Sequence, residues 1–194
     1  MRSLTPRLLV FVGASGTGKS SIVRGLAERG VIEVHPTWTT RPRRRDEADG
    51  SVEHHFVSDE EFLRRRDQGF FLHAVQMFGI SYWYGLPTID WSEGRAIDAV
   101  MLRASLVPIL RSVYPDLVIY QIEATRELVD ARLAARDCTR DELDARLADN
   151  EHELVGGRRI AQRRFHNNRP LVAVIDDIER AIRTDFPCTL LEVT

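Results

Sequence analysis

The sequence predicts an α/β fold in three layers around a parallel central sheet, and three observations carry that expectation. A complete G-x-x-x-x-G-K-[ST] phosphate-binding loop, Gly13, Ala14, Ser15, Gly16, Thr17, Gly18, Lys19 and Ser20, stands between an apolar run and an amphipathic one. Apolar runs of strand length recur along the chain, and stretches of helical period separate them. Two polar excursions interrupt this body without a linker that would divide it.

Residues 8–12, Leu-Leu-Val-Phe-Val, read as a buried parallel strand, and residues 20–29 as a helix with Ile22, Val23 and Leu26 on one face. Strand, loop and helix in that order are the context the loop motif requires. Residues 31–34 form a short strand, and the proline-punctuated, arginine-rich stretch 37–51 is expected to stay out of the core. Ser58 opens a helix whose acidic first turn, Asp59, Glu60 and Glu61, suits the positive end of the helix dipole. Phe70-Phe71-Leu72 and Tyr82-Trp83-Tyr84 point to a small separate sheet, and Arg64, Arg65 and Arg66 to an exposed helix face. Residues 96–102 and 117–122 are the next strands of the main sheet. Thr125 caps a helix to Arg136, a polar turn at 137–139 follows, and another helix spans about 140–154. The last helix begins at Pro170 with Leu171, Val174, Ile175, Ile178 and Ile182 on one face. The tail from Pro187 is unassigned.

Lys19 is the single lysine among 194 residues, and the other 26 of the 27 strong cations are arginine. The compact ammonium is kept where a point charge must reach between β- and γ-phosphates. Loop glycines let successive N–H groups turn onto the phosphates, the helix N-terminus adds its dipole, and the Ser20 hydroxyl is set to hold Mg²⁺. A nucleoside triphosphate is the expected ligand. With 43% hydrophobic residues the chain makes one domain with a proper core. A formal charge of −2 speaks against a general nucleic-acid binder. Cys138 and Cys188 stand alone, without metal-type spacing, as expected of reduced thiols in a cytoplasmic protein. No apolar run approaches 18 residues, so neither a signal peptide nor a membrane span is expected. Oligomeric state is left open.

Further motifs follow the loop in order: Thr39-Thr40-Arg41-Pro42-Arg43-Arg44, Glu47, Gly50, Phe56-Val57-Ser58, Glu61-Phe62, Gly69-Phe70-Phe71-Leu72, Phe78-Gly79 and Tyr84-Gly85. Together they resemble the guanylate kinases over roughly residues 7 to 184. Arg132-Leu133-Ala134-Ala135-Arg136 with Arg146-Leu147 is similar to that family's arginine-bearing lid, and Asn168 matches its asparagine near the nucleotide base. The resemblance implies a P-loop NTPase three-layer fold, guanylate kinase-like, with a small acceptor-binding excursion and a helical lid. It places the core at 7–36, 95–125 and 160–185, the acceptor region at 37–90 and the lid at about 132–150. ATP and Mg²⁺ are the implied cofactors.

Guanylate kinases read guanine with a carboxylate after the Phe-Leu pair, a second on the strand after Gly94, and a small hydroxyl residue before Thr-Thr-Arg. Here those positions hold His73, Leu102 and Thr37. A site that has lost both carboxylates loses most of its guanine selectivity. The sister branch of ribose 1,5-bisphosphate phosphokinases, which make phosphoribosyl diphosphate, is resembled at Gly50-Ser51, His54, Tyr84-Gly85-Leu86-Pro87, Ile89-Asp90 and Arg103. In that reading Arg103 meets the additional sugar phosphate, Arg41 and Arg44 fork onto the acceptor phosphate, and Arg132, Arg136 and Arg146 close over the γ-phosphate. Thr37, His54, His73 and Tyr84 complete the acceptor set, Tyr84 lying with Trp83 in a segment read chiefly as packing. A phosphate monoester is already a nucleophile at neutral pH, so no general base is needed. Two alternatives stand beside this reading: a guanylate kinase with altered base contacts, and a non-catalytic binding module. The strand carboxylate that orders Mg²⁺ in the family is Val100 here. Asp98 lies two residues earlier on the same strand face, about 6.6 Å away, as a possible substitute.

Overall fold

The computed structural model describes residues 8–43, 47, 52–76, 82–91, 96–135 and 140–187, the side chains of 140–146 excepted. Its order is β1 (Leu8–Val12), α1 (Lys19–Glu28), β2 (Ile32–Val34), β3 (Thr37–Thr39), β4 (His54–Phe56), α2 (Asp59–Asp67), β5 (Phe71–Gln76) and β6 (Trp83–Pro87). It continues with β7 (Ile97–Met101), a 3-10 turn (Ala104–Leu106), α3 (Val107–Val113), β8 (Leu117–Glu123), α4 (Arg126–Ala134), α5 (Arg140–Ile160), β9 (Arg163–His166) and α6 (Leu171–Asp185).

The main sheet runs β2-β7-β1-β8-β9 with all four pairings parallel. Every residue of β1 is buried because helices cover both faces, and alternation divides its side chains between two clusters. Leu9 and Phe11 pack with Ile22, Val23 and Leu26 of α1 and Val174, Ile175, Ile178 and Ile182 of α6. Leu8, Val10 and Val12 pack with Val107 and Leu110 of α3. The apolar stripes read from the sequence in α1 and α6 are the faces that meet here, except that Leu171, in the first turn of α6, is exposed.

The excursion after β2 builds a second sheet, β4-β3-β6-β5, in which β3 pairs parallel with β4 while β6 runs antiparallel to both β3 and β5. Phe62 stacks between Phe71 and Trp83 at centroid distances of 4.6 and 5.7 Å, which pins α2 to this sheet. Ser58 is its N-cap and accepts from the Glu61 amide at 3.2 Å. Arg64 and Arg65 stay near the surface and pair with Glu61.

Three expectations need correction. The stretch 37–51 is not all outside the core: Thr39 lies in β3 with no exposed surface, and Arg41 is 5% exposed. Arginine tolerates that position because Glu47, itself buried, takes its guanidinium in a two-pronged pair. The helix expected over about 140–154 continues to Ile160, its last turns packed by Gly157 against Gln121 of β8. Strands β4 and β9, too short and polar to announce themselves, complete the two sheets.

Candidate active site

A cleft of about 330 Å³ opens where the C-terminal ends of β1 and β7 face the second sheet. That is the crevice at which open parallel sheets hold their ligands. It is lined by Gly13, Ser15, Gly16, Gly18, Lys19 and Ser20 of the loop, by Thr37, Arg41, His54, His73 and Tyr84 of the excursion, and by Arg103 after β7. These residues, up to 90 positions apart in the sequence, thus meet on one surface.

The loop's shape follows from its glycines. Gly16 and Gly18 have φ of +85° and +89°, a region that excludes side chains at little cost only for glycine. Lys19 Nζ donates to Ala14 O at 2.9 Å and also to Gly13 O, so the ammonium lies across the mouth of the loop. Thr17, buried, donates its hydroxyl to Ala14 O at 2.9 Å.

On the acceptor side, Thr37 Oγ1 lies 2.8 Å from His54 Nδ1, and His73 of β5 stands opposite Leu86 of β6. Arg41 donates from Nη1 to Glu47 Oε2 at 2.6 Å, and its guanidinium sits 4.9 Å from the centre of the Phe56 ring. Burial is the largest single influence and disfavours its charge, yet the hydrogen bonds to Glu47, the Glu47 charge and a smaller contribution from Tyr84 together hold its pKa above the ordinary arginine value. Arg103 is gripped by the Asp149 carboxylate and lies 3.1 Å from Glu153 Oε1, both on α5. Glu153 in turn accepts from the Ala104 amide at 2.9 Å. Leu102, at the position where guanine would meet a carboxylate, is buried in the apolar cluster below α3.

Other expected residues lie elsewhere. Arg132 Nη1 donates to Gly16 O and Thr17 O at 3.3 and 3.2 Å, and Nη2 to Asn167 O at 3.3 Å, so its guanidinium braces the loop and does not line the cleft. Asn168 Oδ1 accepts from Thr125 N at 2.9 Å and thereby secures the start of α4. Its neighbour Asn167, buried, donates to Thr17 O at 2.9 Å. Asp98 Oδ1 lies 2.7 Å from His35 Nε2 and does not line the cleft, which removes it as a stand-in for the strand carboxylate. Arg44, Arg136 and the Arg146 side chain lie outside the described residues.

Sequence reasoning missed Arg24, Glu53, Asp149, Asn150, Glu153 and Asn167. The doublet Asn167-Asn168 was the available signal for the last, while Arg24, Glu53, Asp149 and Glu153 reach the cleft, and Asn150 the loop, only through tertiary packing.

The guanylate kinase family model matches residues 5–102. A guanylate kinase of Chlamydia felis is 34% identical over 182 residues, covering 91% of this chain and 83% of its own. The chain belongs to the guanylate kinase family. A ribose 1,5-bisphosphate phosphokinase of Laribacter hongkongensis is 28% identical, covering 90% of this chain and 46% of its own. Among solved structures, guanylate kinase from Anaplasma phagocytophilum superposes with a TM-score of 0.65 at 18% identity, over 93% of this chain and 86% of its own. This guanylate kinase-like protein is accordingly a kinase that uses ATP and Mg²⁺ and a phosphate-bearing acceptor. Mg²⁺ commonly takes only one or two protein oxygens and fills its shell with phosphates and water, and the Ser20 hydroxyl on the cleft wall fits that demand. Bound there, the ion would neutralise charge on the β- and γ-phosphates. No helix among the described residues is long and apolar enough to cross a membrane.

Proposed function

We propose that this guanylate kinase-like enzyme moves the γ-phosphoryl group of Mg-ATP onto the 1-phosphate of ribose 1,5-bisphosphate, giving phosphoribosyl diphosphate. The observation that carries the reading is Arg103, which lines the same cleft as Lys19 and Arg41, while its neighbour Leu102 on the cleft wall is apolar and offers no acceptor to a purine edge. His73, on the same wall, is likewise no carboxylate.

Lys19 and the loop amides hold the β- and γ-phosphates, and Ser20 holds Mg²⁺. Arg41 and Arg44 take the acceptor phosphate, with Thr37, His54, His73 and Tyr84 shaping its site. Arg132 supports the loop from behind, where its hydrogen bonds to Gly16 and Thr17 place it, and Arg136 and Arg146 supply lid charge. Asn168 serves the nucleotide through the α4 terminus. Arg103 exchanges Asp149 for the second sugar phosphate. The chemistry is positioning and electrostatics, since the acceptor phosphate is itself the nucleophile.

ADP release with Mg-ATP tests this. Ribose 1,5-bisphosphate should be turned over with a higher kcat/KM than GMP, and Arg103→Ala should raise the acceptor KM about tenfold or more while leaving the ATP KM in place. A second reading, phosphorylation of GMP, is favoured by the 34% identity to a guanylate kinase, against 28% to the sugar-phosphate kinase. It would prevail if GMP were the better acceptor and Arg103→Ala left its KM unchanged.

A further inference from the structure

The cleft holds an arginine that no motif marks. Arg24 sits on α1 and lines the cleft with Ser20 and Ser21. Residues four apart share a helix face and are separated by about 6 Å along the axis, so Arg24 projects beside the hydroxyl assigned to Mg²⁺.

Its surroundings set it apart from the other cleft arginines. Arg41 is locked to Glu47, and Arg103 is gripped by Asp149 and Glu153. Arg24 meets one carboxylate, Glu53, at 3.5 Å between Nη2 and Oε1, too far for a strong hydrogen bond, and its side chain is 40% exposed. Among the described residues no hydrogen bond occupies its donors. Glu53 is 1% exposed, and neither of its oxygens has a hydrogen-bond partner among the described residues. Its backbone is fixed because Glu53 O accepts from the Thr37 amide at 3.2 Å and from Thr37 Oγ1 at 3.3 Å.

A buried carboxylate without hydrogen bonds is costly. Its contact with Arg24 Nη2 at 3.5 Å can orient the guanidinium while the arginine, 40% exposed, still lines the cleft. A planar fork with free donors matches a phosphate, and the nearby α1 face is where donor and acceptor phosphates must converge. We propose that Arg24, oriented by Glu53, binds the reacting phosphate of the acceptor alongside the transferring phosphoryl group. This rests on the phosphotransferase reading but not on which phosphorylated acceptor is used, since ribose 1,5-bisphosphate and GMP carry the same group.

The test measures ADP release and calorimetric binding with both acceptors on the full chain. Arg24→Ala should raise the acceptor KM and Kd about tenfold to a hundredfold with the ATP KM within twofold of the parent. Arg24→Lys should recover part of that loss, because it restores charge without the fork. Glu53→Gln should raise the acceptor KM less than Arg24→Ala does, and the double variant should match Arg24→Ala, which would show that Glu53 acts through the arginine. Melting curves confirm that each variant is folded, and Arg24→Lys keeps the test usable should Arg24→Ala unfold. If the parent turns over an acceptor and both Arg24 variants match it within twofold, the inference falls while the proposed function stands. An equal rise in the ATP KM assigns Arg24 to the donor and also overturns it. A parent that turns over and binds neither acceptor overturns both readings.

Discussion

Ser15 and Asn150 exchange two hydrogen bonds, Asn150 Oδ1 accepting from the Ser15 amide at 2.8 Å and Nδ2 donating to the Ser15 carbonyl at 3.1 Å. One side-chain amide on α5 thus mimics a strand partner for the phosphate-binding loop, 135 residues away in the chain. Together with the grip of Asp149 on Arg103, it ties α5, whose first half falls within the expected lid, to the phosphate-binding loop and to the segment after β7.

Asn150→Asp places a carboxylate where the loop amides await phosphate. The ATP KM should rise about tenfold or more, and Asn150→Ala should raise it less, because that change removes hydrogen bonds without adding a like charge. Steady-state kinetics at fixed acceptor separates the two. An aspartate variant with the parent's ATP KM would mean that this contact lies off the phosphate path.

Lys19→Ala should lower kcat by about 10²- to 10³-fold, the usual loss when one preorganised positive donor is removed from a transferring group. Urea unfolding should be altered far less than kcat, since the ammonium's hydrogen bonds to Gly13 and Ala14 stay within its own loop. A comparable loss of kcat in a protein that is also largely unfolded would assign Lys19 to stability.

Glu123 and Arg158 form a two-pronged pair, with Nε to Oε1 at 3.0 Å and Nη2 to Oε2 at 2.6 Å. The hydrogen bonds from Arg158 hold the Glu123 carboxyl below its ordinary value of 4.5 in spite of burial. A depressed folded pKa stabilises above the unfolded value and is lost as pH falls through the folded one. Arg158→Ala should therefore lower the melting temperature at pH 7, and the gap from the parent should shrink progressively below about pH 4.5. A gap that stays constant from pH 7 to pH 3 contradicts the assignment.

Gly85 of β6 faces Phe71 and Phe62, where an added Cβ would come within 2.7 Å and 2.9 Å of ring carbons. Gly85→Ala should cost about 1–3 kcal/mol by overpacking, read as a lower urea midpoint at unchanged slope. Because Gly85 also lines the cleft, the acceptor KM should rise more than the ATP KM.

Much of the cleft was legible in the residues because its parts are local signals. The phosphate-binding loop needs its glycines at fixed spacing, and the apolar stripes of α1 and α6 repeat with the helical period that buries them. The motif order also identified Thr37, Arg41, His54, His73, Tyr84 and Arg103, all of which line one cleft. Asn168 and Arg132 illustrate the limit. Both were chosen by motif position, and both make hydrogen bonds to neighbouring backbone groups, Asn168 to Thr125 and Arg132 to Gly16. Strands β4 and β9 carry too few apolar residues to show a period of two.

The chain's own order of residues determined the class of fold, the phosphate-binding loop motif and the family to which the protein belongs, because each depends on spacing within a short segment. Only the tertiary structure decided which charges face one another. The motifs singled out Arg41 and Arg103 but not Arg24, and only folding set the burial and the partner of each, Glu53 for Arg24, Glu47 for Arg41 and Asp149 for Arg103, the two quantities that govern what a guanidinium can still bind.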